Sequence, residues 1–350
     1  MPASVVVGGQ FGSEGKGKVA LEIVRRDSSC VAAIRVGGTN SGHTAIDRLG
    51  RKRILRQLPA SGIDGNVHIV LPPGAYIDPE ILFQEIEELG MGPERITISP
   101  MARIITPAHR VWEEQGRLGQ TIGSTQSGTG ASVLASVARE ASNFPLQGLL
   151  AEQVANLSPY LADTTRLLRR YLSEGKRLVI EGSQGFGLSV LHGGYWPKAT
   201  ARDTTAAGFV SEAGISPMDV DDITMVIRCH PIRVAGDSGK LWGETTWAKI
   251  ATESGSPTSL DEYTTVTKRL RRVGRFDSDI VRNAIAVNRP TRLVLNHLDY
   301  VDWKVRTGVM TDRAREFVST VENQVGQNID WLGVAPDKVV AAEQLAMPKA

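Results

Sequence analysis

Short apolar runs recur along the chain, and amphipathic stretches separate them. Residues 4–8, 31–36, 67–71 and 96–99 are compact aliphatic or β-branched runs, the pattern of buried strands. Residues 178–181, 223–228 and 293–296 form three more. Residues 16–26, 131–140, 277–287 and 312–325 space their apolar positions as helices do. Residues 79–89 form a further helix that opens on Pro79 and stops at Gly90. Strands alternating with helices predict an α/β fold, with a mostly parallel central sheet and helices on both faces. In such sheets ligands gather at the carboxyl ends of the strands. No repeat, low-complexity tract or linker interrupts the chain, so a single domain over residues 1–350 is expected, with a loose tail from Gln344.

Composition narrows the function classes. The 350 residues are 41% hydrophobic and 22% charged, as in ordinary globular proteins. Forty Lys and Arg stand against 38 Asp and Glu, a formal charge of +2. That balance gives no broad field for nucleic acid or membrane, so anionic ligands must be caught by local clusters. No apolar stretch reaches the roughly 18 residues needed to cross a bilayer. The start, Met1-Pro2-Ala3-Ser4, lacks a signal-peptide pattern. A cytoplasmic protein is expected. Cys30 and Cys229 make neither a disulfide framework nor a zinc site and read as two buried thiols.

The first chemical block is Gly8-Gly9-Gln10-Phe11-Gly12-Ser13-Glu14-Gly15-Lys16-Gly17-Lys18, between a strand and a helix. Glycines let backbone N–H groups crowd around phosphate oxygens, and the helix N-terminus adds positive potential. Lys16 can reach a terminal phosphate. The spacing departs from a Walker A loop, and Gly17 stands where that loop has its magnesium-binding hydroxyl. Further along come Gly37-Gly38-Thr39-Asn40-Ser41-Gly42-His43-Thr44, then Ile122-Gly123-Ser124-Thr125-Gln126-Ser127-Gly128, then Glu181-Gly182-Ser183-Gln184-Gly185. The stretch Thr264–Arg275 carries five cations and three threonines. It reads as a solvated basic face, a carboxylate clamp or a nucleic-acid patch. Arginine forks favour the clamp, and the missing aromatics disfavour the patch.

These blocks, in this order, resemble the adenylosuccinate synthetase family over nearly the whole chain, from Val5 to Val340. The first loop is similar to the family's Gly-Asp-Glu-Gly-Lys-Gly-Lys, with Ser13 in place of the catalytic aspartate. The resemblance implies a P-loop-NTPase-like synthetase fold, loops trimmed relative to the cellular enzymes, and a magnesium-dependent ligase. Such a ligase phosphorylates O6 of a purine monophosphate and then lets the amine of L-aspartate displace the phosphate at C6.

By that resemblance Ser13, Lys16, His43 and Gln184 carry the chemistry. Ser13, Glu14, Gly15, Lys16, Gly17, Gly42, His43, Thr44, Asn296, Asp299 and Gly333 hold the triphosphate. Ser13, Asn40, Ser124, Thr125, Gln184, Thr200 and Val234 hold the monophosphate. Arg139 reaches the neighbouring subunit's nucleotide in a homodimer. Thr267, Arg269 and Arg271 hold aspartate, and Ser13 with Gly42 holds Mg2+. His297 replaces the lysine of the family's guanine-reading Lys-Leu-Asp.

A carboxylate at position 13 would accept from both N1–H and the 2-amino group of guanine and fix the base unproductively, whereas serine leaves room. The serine is also what a phage-associated branch of the family carries. That branch joins aspartate to dGMP with ATP or dATP, giving 2-amino-2′-deoxy-N6-succinyladenylate, and would place the protein in a host cytoplasm. Glu14, His43 or a bound water would then have to take the N1 proton. The alternatives are an ordinary synthetase acting on IMP with GTP, a nucleotide-binding regulator without ligase activity, or a single-strand nucleic-acid binder.

Overall fold

The computed structural model describes residues 2–65, 67–264 and 268–345. Nine strands make its main sheet: β1 (Ala3–Gly8), β2 (Cys30–Arg35), β3 (His68–Leu71), β4 (Ile96–Ile98), β5 (Arg177–Glu181), β6 (Val220–Arg228), β7 (Arg292–Asn296), β8 (Trp331–Ala335) and β9 (Lys338–Ala341). Their order across the sheet is β9-β8-β7-β6-β1-β5-β2-β3-β4. Every pairing is parallel except β8 with β9, an antiparallel hairpin at the edge. β1 and β5 therefore lie in the middle, buried from both sides. This is why their sequences read as continuous apolar runs rather than alternating ones.

The helices that flank the sheet are α1 (Lys16–Arg26), α2 (Pro79–Leu89), α3 (Pro107–Gln115), α4 (Thr129–Ala138), α5 (Thr164–Ser173), α6 (Ala206–Ala213), α7 (Ser278–Asn288) and α8 (Asp312–Val325). Alternate strand residues face opposite layers. Val5, Val7 and Ile180 pack with Leu168 of α5, Phe209 of α6, Ala284 of α7 and Ala314 of α8. Val6, Val179 and Val226 pack on the other face with Val19, Ala20 and Ile23 of α1. The expected parallel sheet with helices on both faces is what the chain forms.

Local signals act as their chemistry dictates. Asp78 accepts from the Ile81 amide at the start of α2, Pro79 occupies its first turn, and Gly90 closes it at φ 61°. Three differences have physical causes. α4 starts at Thr129 and stops at Ala138, because Arg139 turns into a left-handed backbone at φ 57°. β8 and β9 form a hairpin around Gly333, which the family resemblance marked only as a triphosphate residue, and its edge strand β9 is too short and too exposed to read as a buried run. Two-stranded ribbons, His43–Ile46 with Lys52–Leu55 among them, escape prediction because half their residues face solvent. Cys30 and Cys229 are both buried free thiols.

Gly182, just past β5, lies under α6: a Cβ there would come 2.0 Å from Cε2 of the buried Phe209. Gly182→Ala should therefore destabilise the chain by about 1–3 kcal/mol through overpacking. A denaturant midpoint equal to that of the native chain would show that α6 yields freely.

Candidate active site

The carboxyl ends of β1, β2, β5 and β6 open into loops that converge on a cleft of about 490 Å³. Ser13, Asn40, Gly42, Ser124, Thr125, Gln184, Thr200, Val234 and Arg271 all line it. Seven separate stretches of the chain thus meet in one space.

The first loop is folded around its own carboxylate. Glu14 is fully buried; its Oε1 accepts from the amides of Gln10 (3.2 Å) and Gly12 (2.7 Å), and its Oε2 pairs with Lys16 at 2.7 Å. Lys16 is only 3% exposed, so it faces the loop and not solvent. Gln10 clasps the Arg228 backbone from both sides, through its Nε2 to O at 3.1 Å and its Oε1 from N at 2.9 Å. Gly15 enters α1 at φ 90°, and no side chain caps that helix. Its first amides remain available to an anion.

Ser13 sits in the left-handed region at φ 56°, an uncommon conformation for a residue with a side chain. The Arg228 guanidinium holds its carbonyl at 3.0 Å, and Arg271 Nη1 donates to its hydroxyl. Gln184 is also left-handed, at φ 65°. Its Oε1 is buried without a partner among the described residues, as is Oδ1 of Asn40. Unpaired buried acceptors beside a cleft fit a ligand that brings its own donors.

His43 lies behind the cleft rather than on its wall. It is 5% exposed, and its Nδ1 meets Glu181 Oε1 at 2.5 Å. Arg35, next to Glu181 in the β2–β5 register, reaches the same carboxylate at 3.1 Å. The amides of Ala60 and Ser61 and the Ser61 hydroxyl complete the carboxylate's shell. Burial and then the Arg35 charge push the His43 pKa down to about 3. The Glu181 carboxyl lies at about 2: burial would raise it, but the charge and hydrogen bond of His43 and the charge of Arg35 outweigh that.

The proposed donor end lies beyond the first loop. Asn296 is fully buried, and its Nδ2 donates to the Glu14 carbonyl at 2.7 Å. A Cβ on Gly333 would meet its Oδ1 at 1.8 Å. Asp299 is buried near Lys18; burial raises the carboxyl and lowers the amine, each against the other's charge. His297 packs its ring 4.9 Å from that of Tyr300. Gly17 lies in the first turn of α1, where a Cβ would crowd Ala60 at 2.9 Å and His43 at 3.0 Å. Thr44, Arg139 and Arg269 are exposed, and Thr267 lies outside the described residues.

Two features, Glu113 and Arg228, were not legible as functional, and a third, Arg233, was expected from the family resemblance only as one of an Arg-Val pair near the ribose. Glu113 of α3 is 2% exposed and accepts from the amides of Gly128 (2.9 Å) and Ala131 (3.0 Å), so a carboxylate fills the anion nest at the start of α4. Arg233 stacks on Phe11 (4.4 Å) and Tyr195 (5.0 Å) at the cleft wall. Arg228 is fully buried against Glu262. For Arg228 the one signal is a charge at the end of an apolar strand, where an unpaired ion would be costly.

A family model for adenylosuccinate synthetase matches residues 5–145 and 146–311. The chain belongs to the adenylosuccinate synthetase family. It is 35% identical to the adenylosuccinate synthetase of Thermococcus onnurineus (strain NA1) over 346 residues, covering 96% of this chain and 97% of that one. It is 32% identical over 344 residues to that of Archaeoglobus fulgidus, covering 96% of each. The expectation of trimmed loops therefore does not separate it from these archaeal members. Among solved structures it is similar to the cyanophage S-2L succinoaminodeoxyadenylate synthetase bound to dGMP and dATP as an energy donor. The TM-score is 0.79 with 26% identity over 97% of this chain and 95% of that one. The fully ligated adenylosuccinate synthetase of Plasmodium falciparum shares the fold at TM-score 0.81 and 20% identity, with 99% of each chain covered. The protein is thus a nucleotide-binding ligase of the synthetase type. No helix among the described residues is long and apolar enough to cross a membrane.

The buried His43 carries a pH signature. Its folded value, about 3, lies below the ordinary 6.5, so the unfolded chain takes up a proton that the folded chain refuses. Stability must fall as pH drops through that window. The Glu181 contribution is lost only lower, below 4.5 and through about 2. Urea midpoints measured from about pH 7 to about pH 5 should fall in the native chain and fall less in His43→Asn. Parallel slopes would mean that His43 is not held neutral in the fold.

Proposed function

We propose that the protein condenses L-aspartate with dGMP, using ATP or dATP, to give 2-amino-2′-deoxy-N6-succinyladenylate. The observation that carries this reading is Ser13, an uncharged side chain on the cleft wall where the family's catalytic aspartate would stand. The similarity to the cyanophage enzyme bound to dGMP and dATP supports it. A second reading, IMP with GTP, is favoured by the 35% identity to an archaeal adenylosuccinate synthetase.

In the proposed reaction the γ-phosphoryl group passes to O6 as the N1 proton leaves. The aspartate amine then attacks C6, loses a proton, and phosphate departs. Most of the acceleration comes from positioning and charge stabilisation. Gln184 reads the purine edge with the acceptor it leaves unpaired. Asn40, Ser124, Thr125 and Thr200 hold the monophosphate, and Val234 flanks the sugar. Lys16 and the open start of α1 hold the triphosphate, with Gly15, Gly17, His43 and Thr44 around it. Asn296, Asp299 and Gly333 face the donor base. Arg271, with Arg269 and Thr267, takes the carboxylates of aspartate. Arg139 completes the partner site of a homodimer.

Among the described residues no three His, Cys, Asp or Glu side chains cluster as metal ligands. Ser13 and Gly42 offer oxygen donors on the cleft wall. That set fits Mg2+, which takes its remaining positions from water and substrate phosphates. Bound there, the ion would neutralise charge on the phosphates. Ser13 can serve it only after giving up Arg271.

The N1 proton needs an acceptor. Glu14 is enclosed by three donors. His43 is neutral but faces Glu181. Both side chains are thus engaged away from the purine edge, which leaves a bound water in the cleft as the acceptor of the N1 proton.

Phosphate release should be fastest with dGMP, aspartate and ATP or dATP, and slower with GMP or IMP. Preference for IMP with GTP would return the chain to the ordinary activity. Ser13→Asp should lower dGMP turnover by about tenfold or more, since the pocket would lose room for one exocyclic group. An unchanged rate would refute the steric argument.

A further inference from the structure

The two sides of the basic stretch, on either side of residues 265–267, pair as a hairpin, whose base is also held by Trp247 Nε1 donating to the Arg271 carbonyl at 2.7 Å and by Arg272 pairing with Glu244. The Arg271 amide donates to the Glu262 carbonyl at 2.8 Å, Tyr263 bridges Leu270, and the Thr264 amide donates to the Arg269 carbonyl at 2.9 Å. Glu262 and Arg271 therefore face each other at the base. From that base Glu262 sends its carboxylate to Arg228, with Oε1 at 2.5 Å from Nη2 and Oε2 at 3.2 Å from Nη1. Arg228 is fully buried at the carboxyl end of β6, and the same Nη1 holds the Ser13 carbonyl. Arg271 Nη1 in turn reaches the Ser13 hydroxyl and lies 3.9 Å from Glu262. Its Nε is buried with no partner among the described residues.

We infer that Glu262 is a positioning residue: through Arg228 and the hairpin base it fixes where Arg271 stands relative to Ser13. It thereby sets the affinity for the aspartate carboxylate without touching the substrate. The inference rests on the reading of Arg271 as an aspartate ligand. Two properties make the tie effective. Arg228 is a two-pronged donor, so the hairpin and the first loop share one rigid cation and cannot shift independently. Arg271 keeps a free N–H and a replaceable bond to a hydroxyl. An arriving carboxylate therefore displaces Ser13 from the guanidinium and frees that hydroxyl for the nucleotide side of the cleft. Aspartate binding and the release of Ser13 become one event. His297 and Tyr300 complete the surroundings; the Glu262 charge, after burial, helps keep the Tyr300 phenol protonated.

The test is steady-state phosphate release with the purine monophosphate that the unsubstituted enzyme turns over best. In Glu262→Gln the KM for aspartate should rise by about tenfold, as expected when a charge-assisted contact is misplaced. The kcat at saturating aspartate should stay within about threefold, and the nucleotide KM values should move less. Glu262→Asp, which keeps the charge, should recover part of the aspartate affinity. An unchanged aspartate KM, or equal rises for all three substrates, overturns the inference. If Glu262→Gln does not fold, Arg228→Met with Glu262→Leu removes both charges without stranding a buried ion. That pair must show the same aspartate-selective rise, and its absence is equally fatal. Failure of the parent reading looks different: the unsubstituted enzyme would release no phosphate in an aspartate-dependent way.

Discussion

The Glu14 carboxylate is the group around which the first loop and its neighbours are arranged. It takes two loop amides and the Lys16 ammonium inside the protein. A buried carboxylate survives only if its lone pairs are met. Meeting them forces the chain into a tight coil at the end of β1. It also explains glycines in two distant motifs. A Cβ at Gly8 would fall 2.6 Å from Oε2, and one at Gly185 would fall 2.3 Å from Oε1. The first and fourth motifs are thus two walls of one carboxylate pocket. Asn296, which bonds the Glu14 carbonyl, extends the same dependence to the donor end.

The sheet and its main helices were legible because their signals are local. Buried parallel strands must be apolar on both faces, and Asp78, Pro79 and Gly90 mark helix ends by bonds that span only a few residues. The glycine loops were legible for the same reason, since their spacing is itself the geometry. What sequence reasoning could not supply are charges whose partners lie far away. Glu113 caps α4 from 15 residues before. Glu262 meets Arg228 from 34 residues away, and Glu181 meets His43 across 138. Nothing in a linear pattern announces such pairs. His43 shows the consequence: its motif marks it for the site, while its burial beside Glu181 holds it behind the cleft wall.

Family membership and substrate choice rest on different amounts of chain. The first is written over residues 5–145 and 146–311, and the fold is shared even where identity falls to 20%. The second turns on a few side chains at the cleft. Overall identity therefore cannot rank the purine readings. The chain is 35% identical to an archaeal synthetase and 26% identical to a cyanophage enzyme, each matched over nearly its whole length.

On the proposed reading, position 13 is where these arguments meet, because its side chain answers to three demands. It must hold a left-handed backbone, which Arg228 stabilises through the carbonyl. It must leave space at the purine edge. It must also offer Arg271 a partner that can be given up. A carboxylate would satisfy the first demand, but it would crowd a 2-amino group and would hold the guanidinium as an ion pair instead of through an uncharged hydroxyl. A serine hydroxyl is the weaker partner, and here weakness is the useful property, since the arginine must move to the substrate whenever aspartate arrives.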